Sequence, residues 1–292
     1  MKGPVQLRRS LLFVPAVRPD RYPKALKTRA DAICVDLEDG VGPSSKEVAR
    51  EAALGLFAER TSVRTEVSLR INASSTHLGR RDLDTLVSSL GRDDYAGTRP
   101  DALVLPKVSD PDEVRAIELI LGSLTPDHFP LIVQIETARG VDAAMEIGAA
   151  SANVSALLFG AIDLAAEIGC AVEWDALLYS RSKVVLAAAA SGIGAIDAPY
   201  MDVSALEALG DESRRSRRLG FVGKVAIHPH QVPVIQDSFS PTDEEVTWAR
   251  KVVAVYEAQK GGVLLLDGKL IERPVVLAAQ RTLQASQIDS GD

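Results

Sequence analysis

Short apolar runs alternate with helical stretches along most of this chain. Ala32 to Val35, Ala102 to Leu105 and Leu131 to Ile135 are apolar at nearly every position, which is typical of parallel strands buried on both faces. The pattern predicts eight such strands, and the last, Gly223 to Ile227, ends at His228 and Pro229. Strands that alternate with helices in this way predict an α/β fold, a (β/α)8 TIM barrel, with a doubly wound open sheet as the alternative.

The rhythm changes after residue 240. Glu244 to Gln259 reads as a helix, two short strands flank Asp267 and Gly268, and Pro274 to Ala285 reads as a final helix. We therefore expect a barrel catalytic domain over residues 1–240 and a C-terminal helical and hairpin extension over residues 241–292. An extension of about fifty residues makes a poor hydrophobic core alone, which favours an interaction element.

Composition narrows the class of protein. The chain has 292 residues and a net charge of −7, which argues against a nucleic-acid partner. Its two cysteines, Cys34 and Cys170, form neither a disulfide framework nor a zinc motif, which favours a reducing compartment. No apolar stretch approaches the roughly 20 residues of a membrane span. We expect a soluble, cytoplasmic protein that contacts neither membrane nor nucleic acid.

Two carboxylates follow successive predicted strands. Glu136 comes directly after Leu131 to Ile135, and Asp163 follows Ala156 to Phe159 and Gly160. The carboxyl ends of parallel strands are where such folds place their chemistry. Two neighbouring carboxylates need a cation, and oxygen ligands alone favour Mg²⁺ or Mn²⁺ over zinc. The alternative is that both residues cap helix N-termini.

Other polar residues end the remaining predicted strands. They are Asp36, Glu38, Asp39, Arg70, Asn72, Lys107, Asp197 and His228. Gathered around the end of a barrel, they would form one polar pocket. Arg70 could bind a carboxylate or stabilise an enolate, or it could form a structural ion pair with Glu38 or Asp39. Lys107 could form a Schiff base, and His228 could act as a base or be fixed by packing.

Basic residues near the last strand suggest further ligand contacts. Gly220, Gly223 and Lys224 could cradle a phosphate, as loops at this place in many barrels do. A run of four arginines precedes them, at positions 214, 215, 217 and 218. We expect that run to coat the solvated face of a helix.

Taken together, the motifs resemble the citrate lyase β-subunit-like group of the HpcH/HpaI aldolase superfamily, whose members cleave 3-hydroxyacyl-CoA thioesters. The matching segments are LLFVPAVRPDRYPKAL, DAICVDLEDGV followed by PSSKEVAR, SLRIN, DALVLPKV, IVQIETARG, LLFGAIDLA, AIDAPYMD and GFVGKVAIHPHQV. They cover nearly the whole chain in the same order.

The resemblance implies roles for particular residues. Mg²⁺ would be held by Glu136 and Asp163, and Arg70 would contact the substrate and steady the thioester enolate. Glu136 would touch both metal and substrate. Lys24 and the Ile227–His228 backbone match positions that contact coenzyme A. We assign Glu38 and Asp39 to the groups that surround the metal ligands.

The resemblance also implies a homotrimer or hexamer, in which the C-terminal segment reaches a neighbouring subunit. There the family supplies an aspartate that moves a proton at the α-carbon of the substrate, in a pattern like G-K-M-I-D-x-P. Here the pattern reads Gly268 to Pro274 with Glu272 in place of the aspartate. Ala16 and Val17 also stand where relatives often have Gly-Asn.

The sequence thus predicts a Mg²⁺-dependent carbon–carbon lyase that cleaves a malyl-, citramalyl- or citryl-CoA-like thioester to a 2-oxo acid and acetyl-CoA. Three alternatives stay open. They are a metal-dependent aldolase on a CoA-free hydroxy-oxo acid, a citrate lyase β-subunit acting on an acyl-carrier protein, and a non-enzymatic CoA-binding scaffold.

Overall fold

The structure of the protein, a computed structural model, describes residues 8–58, 65–90, 99–122, 129–259 and 262–286. The contacts within the chain divide it into two compact units, Met1–Gln236 and Asp237–Asp292. Among the residues that the structure describes, every helix is too short or too polar to traverse a lipid bilayer.

The first unit is built around eight parallel strands. They are β1 (Ser10–Pro15), β2 (Ala32–Asp36), β3 (Glu66–Arg70), β4 (Ala102–Leu105), β5 (Leu131–Ile135), β6 (Val154–Phe159), β7 (Gly194–Asp197) and β8 (Gly223–Ala226). Each strand pairs with the next, and β1 pairs with β8, with Leu11 opposite Val225, so the sheet closes into a barrel. The predicted (β/α)8 TIM barrel is confirmed.

Helices follow the strands as the pattern predicts. They are α1 (Tyr22–Lys27), α2 (Lys46–Ala58), α3 (His77–Leu90), α4 (Pro111–Gly122), α5 (Ala138–Asp142), α6 (Ala144–Gly148), α7 (Ala161–Ile168), α8 (Trp174–Ala190), α9 (Leu206–Leu219) and α10 (Gln231–Phe239), with 3-10 turns at Pro19–Arg21 and Pro43–Ser45. The Ala-rich stretch after β5 does not form one continuous helix. Two short helices meet instead at Ala143, whose ψ of 12° lies outside the helical range.

Alternation along the strands decides what fills the barrel. Its interior is a buried apolar cluster that includes Leu11, Cys34, Val104, Ile132 and Leu158. Because successive side chains of a strand point to opposite faces, the residues two places further along also point inward. On β2 and β5 those positions carry polar side chains, so the apolar interior ends in a polar layer at the carboxyl ends of the strands.

The second unit has a small core of its own. Helix α11 (Asp243–Ala258) begins with a capping box formed by Thr242 and Glu245, and an antiparallel hairpin joins β9 (Leu264–Leu266) to β10 (Lys269–Ile271). Helix α12 (Arg273–Ser286) completes it. The core residues are Ala249, Val252, Leu264, Ile271, Val276 and Ala279.

Candidate active site

A cavity of about 330 Å³ lies at the carboxyl ends of the barrel strands. Part of its lining is apolar and includes Phe13, Leu158 and Ile227. Its polar lining comes from residues at or near strand ends, namely Asp36, Asp39, Arg70, Gln134, Glu136 and Asp163, and from Arg21 of the 3-10 turn before α1. The three residues that sequence patterns single out most strongly, Arg70, Glu136 and Asp163, therefore line one cavity.

Arg70 is fixed by a two-pronged ion pair with the neighbouring strand. Asp36 lies directly opposite Arg70 in the β2–β3 register. The Arg70 Nε donates to Asp36 Oδ1 at 2.7 Å and Nη2 donates to Oδ2 at 2.8 Å. Burial raises the pKa of Asp36, but the hydrogen bonds and the charge of Arg70 lower it by more. The pKa of Asp36 therefore lies below its usual value.

Two more contacts complete the surroundings of Arg70. Its Nη1 lies 3.0 Å from Glu38 Oε2, an ion pair rather than an aligned hydrogen bond. The guanidinium also lies 4.7 Å from the centre of the Phe13 ring. The predicted pairing with Glu38 is confirmed, whereas the pairing with Asp36 was missed. The two-residue spacing of Ala32, Cys34 and Asp36 on one strand face is the signal that could have revealed it.

Glu136 is held by donors on both of its oxygens. The main-chain N–H of Lys107 donates to Oε1 at 2.8 Å, and the side-chain amide of Gln134 donates to Oε2. Gln134 stands two residues before Glu136 on the same strand face, and its Oε1 lies 3.5 Å from Arg70 Nη1. Gln134 thus links the carboxylate to the guanidinium, a role that the mostly apolar pattern of Leu131 to Ile135 does not reveal.

The Glu136 carboxyl is buried close to other negative charges. Burial, together with the negative charges of Glu38 and Asp163, raises its pKa to about 8, although Arg70 and the Lys107 N–H oppose the rise. Gly160 leaves the space that this carboxyl occupies, since a Cβ at that position would lie 2.5 Å from Glu136 Oε2. A buried carboxylate beside two others is a site that a cation would stabilise.

Asp163 approaches the same cavity from the next strand–helix junction. It is the third residue of α7, and Gly160 occupies the N-cap position of that helix. Thr137, not Glu136, caps α5 by accepting from the Gly140 N–H. The alternative that Glu136 and Asp163 are helix N-caps is therefore wrong.

Lys107 supplies the positive charge nearest to Asp163. Its ammonium donates to Glu38 Oε1 at 2.7 Å and lies 3.5 Å from Asp39 Oδ1 and 3.6 Å from Asp163 Oδ1. Burial lowers the pKa of Lys107, but the hydrogen bond with Glu38 and the surrounding carboxylates raise it above its usual value. A Schiff base needs a neutral amine, so this environment does not support that alternative.

Glu136 and Asp163 fit a hard divalent cation. Among the described residues, no group of three or more His, Cys, Asp and Glu side chains converges as a metal cluster. Mg²⁺ commonly binds one or two protein carboxylates and takes its other oxygens from water and substrate. Two carboxylates that line an open cavity, with Gly160 giving Glu136 room, match that donor set.

The predictions for Asp197 and Lys224 are wrong. The Asp197 side chain lies outside the barrel, where it accepts from Arg181 at 3.1 Å, from Ser216 at 2.6 Å and from Lys224 at 2.8 Å. Lys224 is fully buried and also donates to Glu212. Its charge is balanced by these two carboxylates and its ammonium is buried, so Lys224 cannot bind a phosphate.

Gly223 serves closure of the barrel and does not bind phosphate. A Cβ at this position would lie 1.8 Å from the main-chain oxygen of Arg8. Only glycine permits this approach between the start of β8 and the residues that precede β1. The glycine that suggests a phosphate cradle in the sequence is therefore explained by the close backbone packing at this point of the barrel.

The residues assigned to coenzyme A lie at and beyond the cavity edge. Ile227 lines the cavity, whereas Lys24 is exposed on α1 and is not among the lining residues. The main-chain N–H groups of Ile227 and His228 both point to Gln231 Oε1, at 2.9 and 3.2 Å. Glu272 belongs to the second compact unit and is exposed at the start of α12.

Known proteins are similar to this chain in sequence and in fold. A citrate lyase subunit beta-like protein of Mycobacterium tuberculosis is 36% identical over 282 residues, 94% of this chain and 93% of that protein. The mitochondrial citramalyl-CoA lyase of Homo sapiens is 31% identical over 294 residues, 94% and 84% of the two chains. A crystal structure of CitE from Mycobacterium tuberculosis with magnesium, acetoacetate and coenzyme A matches with a TM-score of 0.78 at 32% identity, covering 96% of this chain and 98% of that one.

A family model gives the same result over the barrel. The model described as HpcH/HpaI aldolase/citrate lyase matches residues 9–229, which hold all eight barrel strands and the cavity. The chain belongs to the HpcH/HpaI aldolase/citrate lyase family.

Proposed function

We propose that the protein is a Mg²⁺-dependent carbon–carbon lyase that cleaves a 3-hydroxyacyl-CoA thioester to a 2-oxo acid and acetyl-CoA. The observation that carries this proposal is that Glu136, Asp163 and Arg70 line one cavity at the carboxyl end of the barrel. Similarity to a citramalyl-CoA lyase and to a CitE that holds magnesium and coenzyme A supports the same chemistry. Malyl-, citramalyl- and citryl-CoA are the candidate substrates.

Glu136 and Asp163 would hold the metal, with Glu38 and Asp39 beside them. When bound, Mg²⁺ or Mn²⁺ supplies a Lewis acid that lowers the pKa of the substrate hydroxyl. The hydrogen bonds from Gln134 and from the Lys107 main chain support the carboxylate of Glu136 in one orientation. That preorganisation removes one cost of binding the metal.

Arg70 would stabilise the negative charge that develops on the thioester. The substrate hydroxyl loses its proton to solvent and becomes the carbonyl of the 2-oxo acid as the carbon–carbon bond breaks. The electron pair of that bond stays on the acetyl-CoA half as an enolate, and a fixed cation lowers the free energy of that state. The bidentate pair with Asp36 keeps the guanidinium in place, so little reorganisation accompanies the reaction. Glu136, hydrogen-bonded through Gln134 to the same group, would also contact the substrate.

Glu272 would then donate the proton that converts the enolate to acetyl-CoA. We propose that it does so from a neighbouring subunit of a homotrimer or hexamer, as part of a C-terminal extension over residues 241–292. Two exposed leucines that face each other on the hairpin, Leu265 and Leu270, support a role in packing for this segment. The exposure of Glu272 leaves its carboxylate free to meet another chain.

Coenzyme A would extend from the cavity towards α1 and the end of β8. Ile227 lines the cavity, His228 is half-buried, and the next residues, Pro229 and His230, are exposed, so this edge joins the reaction site to solvent. Lys24 would meet an anionic part of the cofactor from α1. We propose a cytoplasmic location for the enzyme, on the basis of its reduced cysteines.

A coupled assay of the released acetyl-CoA and 2-oxo acid tests this function. Malyl-, citramalyl- and citryl-CoA are offered with and without Mg²⁺, and we expect metal-dependent turnover of at least one. Glu136→Gln should lower kcat/KM by more than about a hundredfold because it removes a charged metal ligand.

The matched control is Glu146→Gln, which makes the same change at an exposed position on α6 and should leave turnover at the wild-type rate. Turnover of acyl-carrier-protein thioesters alone would assign the citrate lyase β-subunit reaction instead. Full activity of Glu136→Gln would contradict the metal assignment.

A further inference from the structure

Lys107 has an unusual backbone conformation at the edge of the site. Its φ is 56°, and only two other non-glycine residues in the described part of the chain, Arg29 and Asp267, have positive φ. This left-handed region is unfavourable for a residue with a Cβ and persists where the surroundings hold it. The residue lies just after β4, at the cavity end of the barrel.

The conformation brings two different groups of Lys107 to the carboxylates. Its main-chain N–H donates to Glu136 Oε1 at 2.8 Å. Its ammonium donates to Glu38 at 2.7 Å and lies 3.6 Å from Asp163. One residue therefore holds one proposed metal ligand through its backbone and neutralises the other through its side chain.

The ammonium and a metal ion compete for the same negative charge. A divalent cation bound by Glu136 and Asp163 would lie near an ammonium that is 3.6 Å from Asp163. Two cations at such separations repel strongly in a partly buried site. Without the ammonium, by contrast, the carboxylates repel one another and attract a metal more strongly.

We propose that the Lys107 side chain is the internal counter-ion of the metal site. It partly offsets the negative charge of Glu38, Asp39 and Asp163 before the metal binds, weakens the affinity for Mg²⁺, and turns away from Asp163 when the metal arrives. The main-chain N–H positions Glu136 in both states. Lys107 is thus a positioning residue that adjusts metal affinity, and this role rests on the metal site of the proposed function.

Metal titrations of the full-length protein at one fixed pH test the role. Mg²⁺ binding is measured by calorimetry and Mn²⁺ binding by electron paramagnetic resonance, both without substrate. Lys107→Met, which removes the charge and keeps most of the length, should bind each metal at least about tenfold more tightly than wild type. Lys107→Arg keeps the charge and should bind like wild type.

The matched control is Lys183→Met. The Lys183 ammonium pairs with Asp142 at 2.9 Å between the outer helices α8 and α5, so its removal should leave metal affinity unchanged. Equal or weaker metal binding by Lys107→Met would overturn the counter-ion role.

A second variant without the charge tests whether misfolding explains a change in metal affinity. Lys107→Gly removes the charge and relieves the left-handed strain, and it should bind metal as tightly as Lys107→Met. Circular dichroism and thermal melts report the fold.

Glu136→Gln separates the two proposals. If it loses metal binding while Lys107→Met and Lys107→Gly keep wild-type affinity, the counter-ion role alone is wrong. If Glu136→Gln binds metal like wild type, the metal site itself is wrong, and the counter-ion role is wrong with it.

Discussion

Gly160 controls how closely Glu136 can approach the end of β6. A Cβ at this position would lie 2.4 Å from the Glu136 Cβ and 2.5 Å from its Oε2, distances that real atoms do not tolerate. Glu136 is itself fixed by Lys107 and Gln134, so it has little freedom to move away. A single missing methyl group thus sets the position of the proposed metal ligand.

Gly160→Ala should therefore damage function more than folding. We expect kcat/KM to fall by about a hundredfold, because displacement of a catalytic group by about 1 Å has that effect, and Mg²⁺ to bind more weakly. Overpacking should cost about 1–3 kcal/mol of unfolding free energy. Steady-state kinetics, calorimetry and urea unfolding measure the three effects.

Gly55→Ala is the control for this substitution. Gly55 is exposed on α2, and a Cβ there would meet nothing within 4 Å. We expect unchanged kinetics and a stability change within about 1 kcal/mol, in the stabilising direction. Wild-type kinetics for Gly160→Ala would show that the Glu136 carboxylate is not confined as described.

At the scale of elements, buried ion pairs join β7 and β8 to their covering helices. Asp197 at the end of β7 accepts hydrogen bonds from Arg181 on α8, Ser216 on α9 and Lys224 on β8. The Lys224 ammonium is fully buried and depends on Asp197 and Glu212 for its neutralisation. This network connects two strands and two helices on the side of the barrel wall away from the cavity.

Asp197→Asn should destabilise the protein by about 3–5 kcal/mol at neutral pH, since it leaves buried cations without their partner. Burial raises the pKa of Asp197, but the charges of Lys224 and Arg181 and their hydrogen bonds lower it below its usual value. A carboxyl whose pKa is lower in the folded state stabilises the protein above its unfolded-state pKa of about 3.9 and loses that contribution as pH falls.

Urea unfolding between neutral pH and about pH 3.5 measures the effect. The difference between wild type and Asp197→Asn should be constant down to about pH 5 and then shrink. Asp84→Asn, which makes the same change at an exposed position on α3, is the control and should show no such trend. A difference that grows on acidification would contradict the assigned direction.

At the scale of the whole molecule, the proposed reaction draws on both compact units. Glu136 and Arg70 belong to the barrel unit, and Glu272 belongs to the unit formed by Asp237–Asp292. If Glu272 acts in the site of a neighbouring chain, a chain with an intact Glu272 can complete the site of a chain that has lost its own Glu272.

Glu136→Gln and Glu272→Gln should each be nearly inactive alone. We expect Glu272→Gln to lower the activity by about a hundredfold or more because it removes a proton donor. Co-expressed as mixed oligomers, they should regain about a quarter to a third of wild-type activity, since sites with both intact residues form between unlike chains. Differently tagged copies, purified in tandem and assayed for acetyl-CoA release, measure the recovery.

Two outcomes would separate the parts of this proposal. No recovery in mixed oligomers, with both variants folded, would mean that Glu272 acts within its own chain. Wild-type activity of Glu272→Gln would remove it from the mechanism. Glu272→Asp should retain activity, since aspartate is what the resemblance places at this position.

The sequence alone determined the barrel and the two carboxylates at its cavity. Continuous apolar runs predict buried parallel strands because both faces of each strand are covered, and this pattern is local. Glu136 and Asp163 could be found because each follows such a run directly, and the carboxyl ends of parallel strands meet at one edge of a barrel. Family motifs added the expected chemistry.

Only the tertiary structure decided which polar side chains meet. Arg70 pairs with Asp36 because the strand register places them opposite each other, and Lys107, in a left-handed backbone conformation, approaches Asp163 from the end of a different strand. Asp197 and Lys224 resemble site residues in the sequence, yet they pair behind the barrel wall. Strand ends are local features, whereas the direction and partner of a side chain depend on register and packing between residues far apart in the chain.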